Sequence, residues 1–349
     1  MKAPFVWFGG KRRVAPEVWA ALGDVPNYIE PFAGSLAVLL GRPHDMSNGT
    51  RRAETVNDAD GFLANFWRAL AHDPEAVAHW CDWPVNEVDL FARHLWLVNT
   101  GRSRLLEGME ADPDFYDAQV AGWWVWGVNA WIGSGWCSGD GPWVDTGDGI
   151  GKRPHLGDAG QGVKRQPPHL GDAGRGVNRK LPHLGDAGRA GYNNMEYRPN
   201  VLGYFEELAG RLRDVRVCCG DWSRVCTSGA MSHGSRVGVF LDPPYLGDVR
   251  TADLYAVDDH TIAHAVRDWC LEHGDDPRLR IVLAGYRAEH DDLMPDTWRR
   301  HYYSASAAYS TTESAARQDG NHANRANEVL WFSPHCVTPD RQGELWEAL

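Results

Sequence analysis

An apolar run, Val237–Leu241, leads straight into Asp242-Pro243-Pro244-Tyr245. Two prolines hold the backbone extended and donate no hydrogen bond. What such a turn presents is therefore a carboxylate and carbonyls, all acceptors, beside an aromatic ring. That set suits an exocyclic amine on a planar base: the acceptors take its N–H groups and orient its lone pair, and the base stacks on Tyr245. The competing reading is a plain turn with a packed tyrosine.

Three further segments carry chemistry of a complementary kind. Glu30-Pro31-Phe32-Ala33-Gly34 is a tight glycine turn between an expected strand and a short helix. Asn57-Asp58 ends a second short strand, where an acid can meet the two hydroxyls of a ribose. Gly220-Asp221-Trp222 closes another strand with an acceptor and a flat face that suits an adenine ring. Each alone is ordinary turn chemistry. Together, in this order, they describe a pocket for an adenosine-bearing cofactor.

Elements must position these groups. Hydrophobic patterning predicts strands at 27–32, 54–58, 215–219, 237–241, 280–284 and 328–332. It predicts helices at 35–40, 59–72, 86–100, 201–212 and 258–272, the last capped by Asp258 or Asp259. Strands alternating with helices imply an α/β fold with a Rossmann-like, doubly wound, mostly parallel sheet, in which ligands sit at the carboxyl ends of the strands. Residues 61–199 interrupt the alternation. We therefore expect one domain from 1–60 and 200–349, and an inserted, mainly helical and irregular second domain at 61–199. Its segment 115–143 is dense in Trp and Gly, which suits a helical subdomain packed on tryptophans better than a stacking platform for bases.

Composition narrows the class. The 349 residues, 43% apolar and 23% charged with 17 Trp, are those of a chain that builds a core rather than a disordered one. No stretch approaches the length of an apolar membrane span, and the start lacks a signal-peptide pattern, so a cytoplasmic location is expected. The seven cysteines include no Cys-x-x-Cys, which points to reduced, buried thiols rather than a zinc or redox site.

The charge is uneven. Between Gly151 and Gly191, Lys152, Arg153, Lys164, Arg165, Arg175, Arg179, Lys180 and Arg189 face only three aspartates. That segment is thus +5 in a chain of net −12, and the remainder carries −17. The whole is too acidic to bind nucleic acid by bulk attraction, yet one basic arm can place phosphate contacts locally. The arm is a repeat: Pro-His-Leu-Gly-Asp-Ala-Gly recurs at 154–160, 168–174 and 182–188, a period of 14. No unit can close a core alone, so a run of turns is expected. It reads as a surface insertion enlarged by duplication, as a DNA-contacting arm, or as a metal site through His155, His169 and His183. Arg317 and Arg325, in and before the polar loop 321–328, are further candidates for the DNA backbone.

The motif set resembles the Dam-type DNA adenine-N6 methyltransferases: Trp7-Phe8-Gly9-Gly10-Lys11, EPFAG at 30–34, VND at 56–58, GDW at 220–222 and DPPY at 242–245, in the family's order. The resemblance covers 1–60 and about 200–334. It implies a class I methyltransferase fold and S-adenosylmethionine as cofactor. Trp7, Gly10 and Lys11 would meet its methionine part, Glu30, Phe32 and Gly34 would line its path, Asp58 would hold the ribose, and Asp221 with Trp222 the adenine. Asp242, Pro243 and Pro244 would accept the target amine and Tyr245 would stack on a base flipped from double-stranded DNA. Methyl transfer would be in line, needing no metal, by a chain that can act as a monomer. A phage or mobile-element origin, with or without a restriction partner, goes with the duplicated repeats. One departure stands out: Leu36 occupies the place of a second glycine in the cofactor turn. Cytosine N4, an RNA or protein amine, or an inactive DNA-binding relative remain open readings.

Overall fold

The computed structural model describes residues 1–5, 7, 10–43, 52–131, 136–137, 143–145, 150–152, 201–244, 259–303 and 328–338. The DNA-arm candidates Arg153, Lys164, Arg165, Arg175, Arg179, Lys180, Arg189, Arg317 and Arg325, the side chain of Lys152, the histidine repeats and the helix-capping Asp258 lie outside them, as does Tyr245.

Along the chain, α1 (Ala15–Leu22) precedes β1 (Asn27–Glu30), a short α2 (Ala37–Leu40) and β2 (Ala53–Asp58). Helices α3 (Gly61–His72), α4 (Pro74–Cys81), α5 (Glu87–Trp96), α6 (Arg102–Ala111) and α7 (Ala118–Ala130) follow. A hairpin of β3 (Trp143–Asp145) and β4 (Ile150–Lys152) comes next. Then come α8 (Val201–Leu212), β5 (Val215–Cys219), β6 (Val237–Leu241), α9 (Asp259–His273), β7 (Leu279–Tyr286), α10 (Arg287–His290), β8 (Arg299–Tyr303) and β9 (Glu328–Phe332).

Seven strands form one sheet in the order β5-β2-β1-β6-β7-β9-β8. Strands β2, β1, β6 and β7 run parallel, and β9 and β8 are antiparallel. This mostly parallel, Rossmann-like α/β sheet is the architecture that the alternation of strands and helices predicts. The central strands are covered on both faces, so β6 and β9 are buried at every residue. That is why they read as continuous apolar runs instead of alternating ones.

The chain divides into two compact units. The first comprises Met1–Trp7 and Asp60–Cys219. Helices α3, α4, α5 and α7 start on side-chain caps: Asp60 accepts from Phe62 N–H at 2.8 Å, Asp73 from Ala76, Asn86 from Asp89 and Asp117 from Val120. Its core is aromatic. Trp124 meets Phe5 edge-on at 5.3 Å and Phe66 at 5.7 Å, and Trp67 and Trp126 are fully buried. Arg93 lies over the rings of Trp126, Trp123 and Trp83 at 4.2, 5.2 and 5.4 Å. The tryptophans whose packing the structure describes are thus packing residues, and the cation is held by ring faces. The helix expected over 86–100 is regular only to Trp96 and continues as a wider π turn through Leu97–Gly101.

The second unit comprises Phe8–Ala59 and Gly220–Leu349. Helix α1 packs on β6 and β7, and Trp19 of α1 donates to the Val38 carbonyl at 2.7 Å. Buried Arg42 pairs with Glu54 at 2.8 Å and donates to the Val25 carbonyl at 2.6 Å, fastening the turn after α2 to β2. Strand β8, Arg-Arg-His-Tyr-Tyr, lies at the sheet edge and carries no apolar run, which hides it from a search for buried strands. All seven cysteines are free thiols, five of them buried.

Candidate active site

The strand order places β2 on one side of β1 and β6 on the other, so the sheet reverses direction of growth between β1 and β6. Ligands of open α/β sheets bind outside the carboxyl ends at such a reversal. The register then aligns the motifs. Glu30 is opposite Val56, and Ile29 is opposite both Thr55 and Val239. Phe32 follows β1 by two residues, Asp58 ends β2 and Asp242 follows β6, so the three come at the ends of three adjacent strands.

The turns after β1, β2 and β5 are bonded into one unit. Asn57 donates through Nδ2 to the carbonyls of Pro31 at 3.0 Å and Gly220 at 2.9 Å. Its own carbonyl accepts from Ala33 N–H at 2.8 Å, and Asp58 carbonyl accepts from Gly220 N–H at 3.0 Å. Asp58 Oδ2 accepts from Gly34 N–H at 3.0 Å. A carboxylate offers about four lone-pair sites, so this bond orients Asp58 and leaves it acceptor capacity for hydroxyl groups. Gly34 has φ 47° and Gly220 φ 136°, backbone that a side chain disfavours, which is the reason glycine stands at both turns. Asn57 belongs to the VND motif, yet its role as the strut between turns is visible only from partners 26 and 163 residues away.

Leu36 lies at φ 54°, ψ 28° and is fully buried. The glycine-like position is therefore left-handed here, as a glycine there would allow, but its occupant also fills the core. Its left-handed backbone delays α2, which starts at Ala37 rather than Ser35.

Asp221 accepts from Ser223 N–H at 2.9 Å and from the Ser223 hydroxyl, capping the single 3-10 turn Trp222–Val225. Trp222 lies nearly parallel to Phe32, with ring centroids 6.3 Å apart and 25° between planes, and meets Trp269 edge-on. The ends of β1 and β5 thereby present a flat aromatic wall. Trp7 packs in the first unit against Phe5 at 5.9 Å and Trp124 at 6.1 Å.

Charge concentrates at the ends of β1 and β6. Lys11 Nζ sits 3.0 Å from Asp242 Oδ1, with 4% of the lysine side chain exposed. The sequence assigns these two residues to different ligands; the fold makes them partners. Glu30 is buried and accepts from the Tyr28 hydroxyl at 2.9 Å. Burial pushes its carboxyl up to about 8, against the hydrogen bonds from Tyr28 and the Leu39 backbone, with Asp242 and Glu54 adding to the rise. Glu30 is therefore largely protonated at neutral pH. Glu328, the first residue of β9, is 5% exposed and also raised, by burial first and by Asp242, while Lys11 and Tyr303 oppose the rise. Pro243 is buried and Pro244 half-buried behind Asp242, and Gly10 is exposed ahead of Lys11. Sequence reading passed over Glu328; the available signal was a lone acid as the first residue of an otherwise apolar strand.

The arrangement offers a carboxylate for hydroxyls, an aromatic wall for a planar ring, and an anionic pocket with one buried ammonium. These features fit a cationic, adenosine-bearing ligand. Among the described residues, no group of three or more His, Cys, Asp or Glu is placed to hold a metal ion, and no helix is long and apolar enough to cross a membrane.

Residues 7–85 match the family model described as D12 class N6 adenine-specific DNA methyltransferase. That stretch holds Lys11, the Glu30–Gly34 turn and Asn57-Asp58. No curated protein sequence matches the chain. Over residues 7–85 the chain is thus similar to the D12 class N6 adenine-specific DNA methyltransferases, and β1 and β2 of that stretch lie in the Rossmann-like sheet.

Proposed function

We propose that this protein transfers a methyl group from S-adenosylmethionine to the N6 amine of adenine in double-stranded DNA, acting on a base turned out of the helix. The observation that carries the reading is that Phe32, Asp58 and Asp242 come at the ends of three adjacent strands at the sheet reversal, with the turns after β1 and β5 bonded together through Asn57. When bound, the cofactor supplies an electrophilic methyl on a sulfonium. The chain's residues do the rest by placement. Asp58 holds ribose hydroxyls, Phe32 and Trp222 flank the adenine, and Gly10, Lys11 and Glu30 border the methionine end. Asp242 and the Pro243 carbonyl accept from the target amine, which aims its lone pair at the methyl; Tyr245 stacks on the base. As the carbon–nitrogen bond forms, the methyl–sulfur bond would break with its electron pair staying on sulfur as a neutral thioether, and one amine proton leaves to Asp242 or to water. Alignment and fixed acceptors supply the acceleration.

On this reading residues 61–199 select the DNA target, and the basic arm 152–189 with Arg317 and Arg325 contacts phosphates. The test is methyl transfer from radiolabelled S-adenosylmethionine to unmodified duplex DNA, with nucleosides separated after digestion. Label in N6-methyldeoxyadenosine is expected. Label in N4-methyldeoxycytidine moves the target base, and no label on DNA with cofactor bound overturns the reading.

A further inference from the structure

We infer that Glu328 is a positioning residue that receives the Lys11 ammonium when Asp242 turns to the target amine. This rests on the methyltransfer reading above. Lys11 is buried and already bonded to Asp242 at 3.0 Å. When Asp242 turns to the substrate amine, its hold on the ammonium weakens. A buried ammonium is costly to leave poorly paired, so a second acidic group at the same end of the sheet helps to keep it in place.

Glu30 is the poorer candidate: burial pushes its carboxyl up to about 8, and Tyr28 of the same strand donates to it at 2.9 Å. Glu328 has the required placement. It pairs with Tyr286 at the carboxyl end of β7 and with Tyr303 of β8, so it emerges at the same end of the sheet as Asp242, which follows β6 beside β7. It is buried, and its carboxyl is held down by Lys11 and pushed up by Asp242, so it senses both members of the pair. Lys11 bonded to Asp242, with Glu328 buried at the same end of the sheet, gives the ammonium a second acidic neighbour there.

Two measurements test this. In the first, no cofactor is needed: the Glu328 carboxyl is followed by 13C NMR of glutamate-labelled protein, its signal identified by loss in E328Q. Its pKa is expected to rise in K11M and fall in D242N. An unmoved value in both variants would overturn the inference, whatever the enzyme's substrate. The second is a double-mutant cycle of E328Q and K11M at saturating cofactor on unmodified duplex DNA. E328Q alone is expected to lower kcat about 10- to 100-fold with cofactor Kd little changed. In the K11M background, where no ammonium needs a second home, E328Q is expected to cost less than 3-fold. Equal losses in both backgrounds would make Glu328 merely structural. A wild-type protein without methyl transfer would sink the functional reading instead, and the NMR result would stand apart from it.

Discussion

At the level of single residues, Asp242 pairs with Lys11, and the proposed function gives it a second duty at the target amine that substitution can separate. D242N keeps an acceptor oxygen and the shape of the site but removes the charge that pairs with Lys11. Methyl transfer is expected to fall at least 100-fold while cofactor binding, measured by calorimetry, changes less than 10-fold; equal loss of both would deny Asp242 its place at the target amine. Glu30 gives a prediction in pH. Its carboxyl titrates near 8 in the folded protein against 4.5 when free. Its contribution to stability is therefore full below pH 4.5 and is lost as pH rises toward 8, because unfolding releases a proton there. Glu30→Gln never ionises, so its melting temperature relative to wild type should climb steadily from pH 5 to 8. A difference independent of pH would mean that Glu30 is already ionised in the fold.

Turns, rather than strands or helices, do the positioning at the scale of elements. Asn57 holds two of them through one amide. Asn57→Ala would leave the Pro31 and Gly220 carbonyls short of a donor, at a cost of about 1–3 kcal/mol, read as a lowered melting temperature. Loss of cofactor affinity should accompany it, since Phe32 and Trp222 lean on those turns. Leu36 yields a reversed ranking. A left-handed backbone costs a non-glycine residue about 1–2 kcal/mol, and Leu36 offsets this by burial. Both Leu36→Ala and Leu36→Gly lose the buried side chain, but only glycine relieves the backbone. Urea melts should therefore find the alanine variant the less stable of the two, the opposite of the usual order in helices.

Across the whole molecule, an acidic body carries a basic arm. If residues 152–190 meet phosphates, their deletion should weaken DNA binding and flatten its dependence on salt, measured by titrating duplex DNA at several ionic strengths. An unchanged slope would return the arm to a plain insertion. The aromatic core of the first unit makes no such demand on a ligand: Trp124 packs on Phe5 and Phe66, and Trp126 packs under Arg93.

Much of this protein was legible before any fold was known. The strands at 215–219, 237–241 and 328–332 match the observed ones residue for residue; the last two are buried on both faces and so must be apolar throughout. The DPPY, EPFAG and VND segments stand out in the sequence because tight turns at strand ends admit few residue types. Strand β8 and helix α6 were not legible: one is a polar edge, and the other buries only Leu105, so neither shows a hydrophobic period. What only the tertiary structure decided is pairing. Lys11 finds Asp242, Asn57 finds Gly220, and Glu328 joins the charged end of the sheet. These partners lie far apart in the chain, and strand order and register, which no local pattern encodes, bring them together.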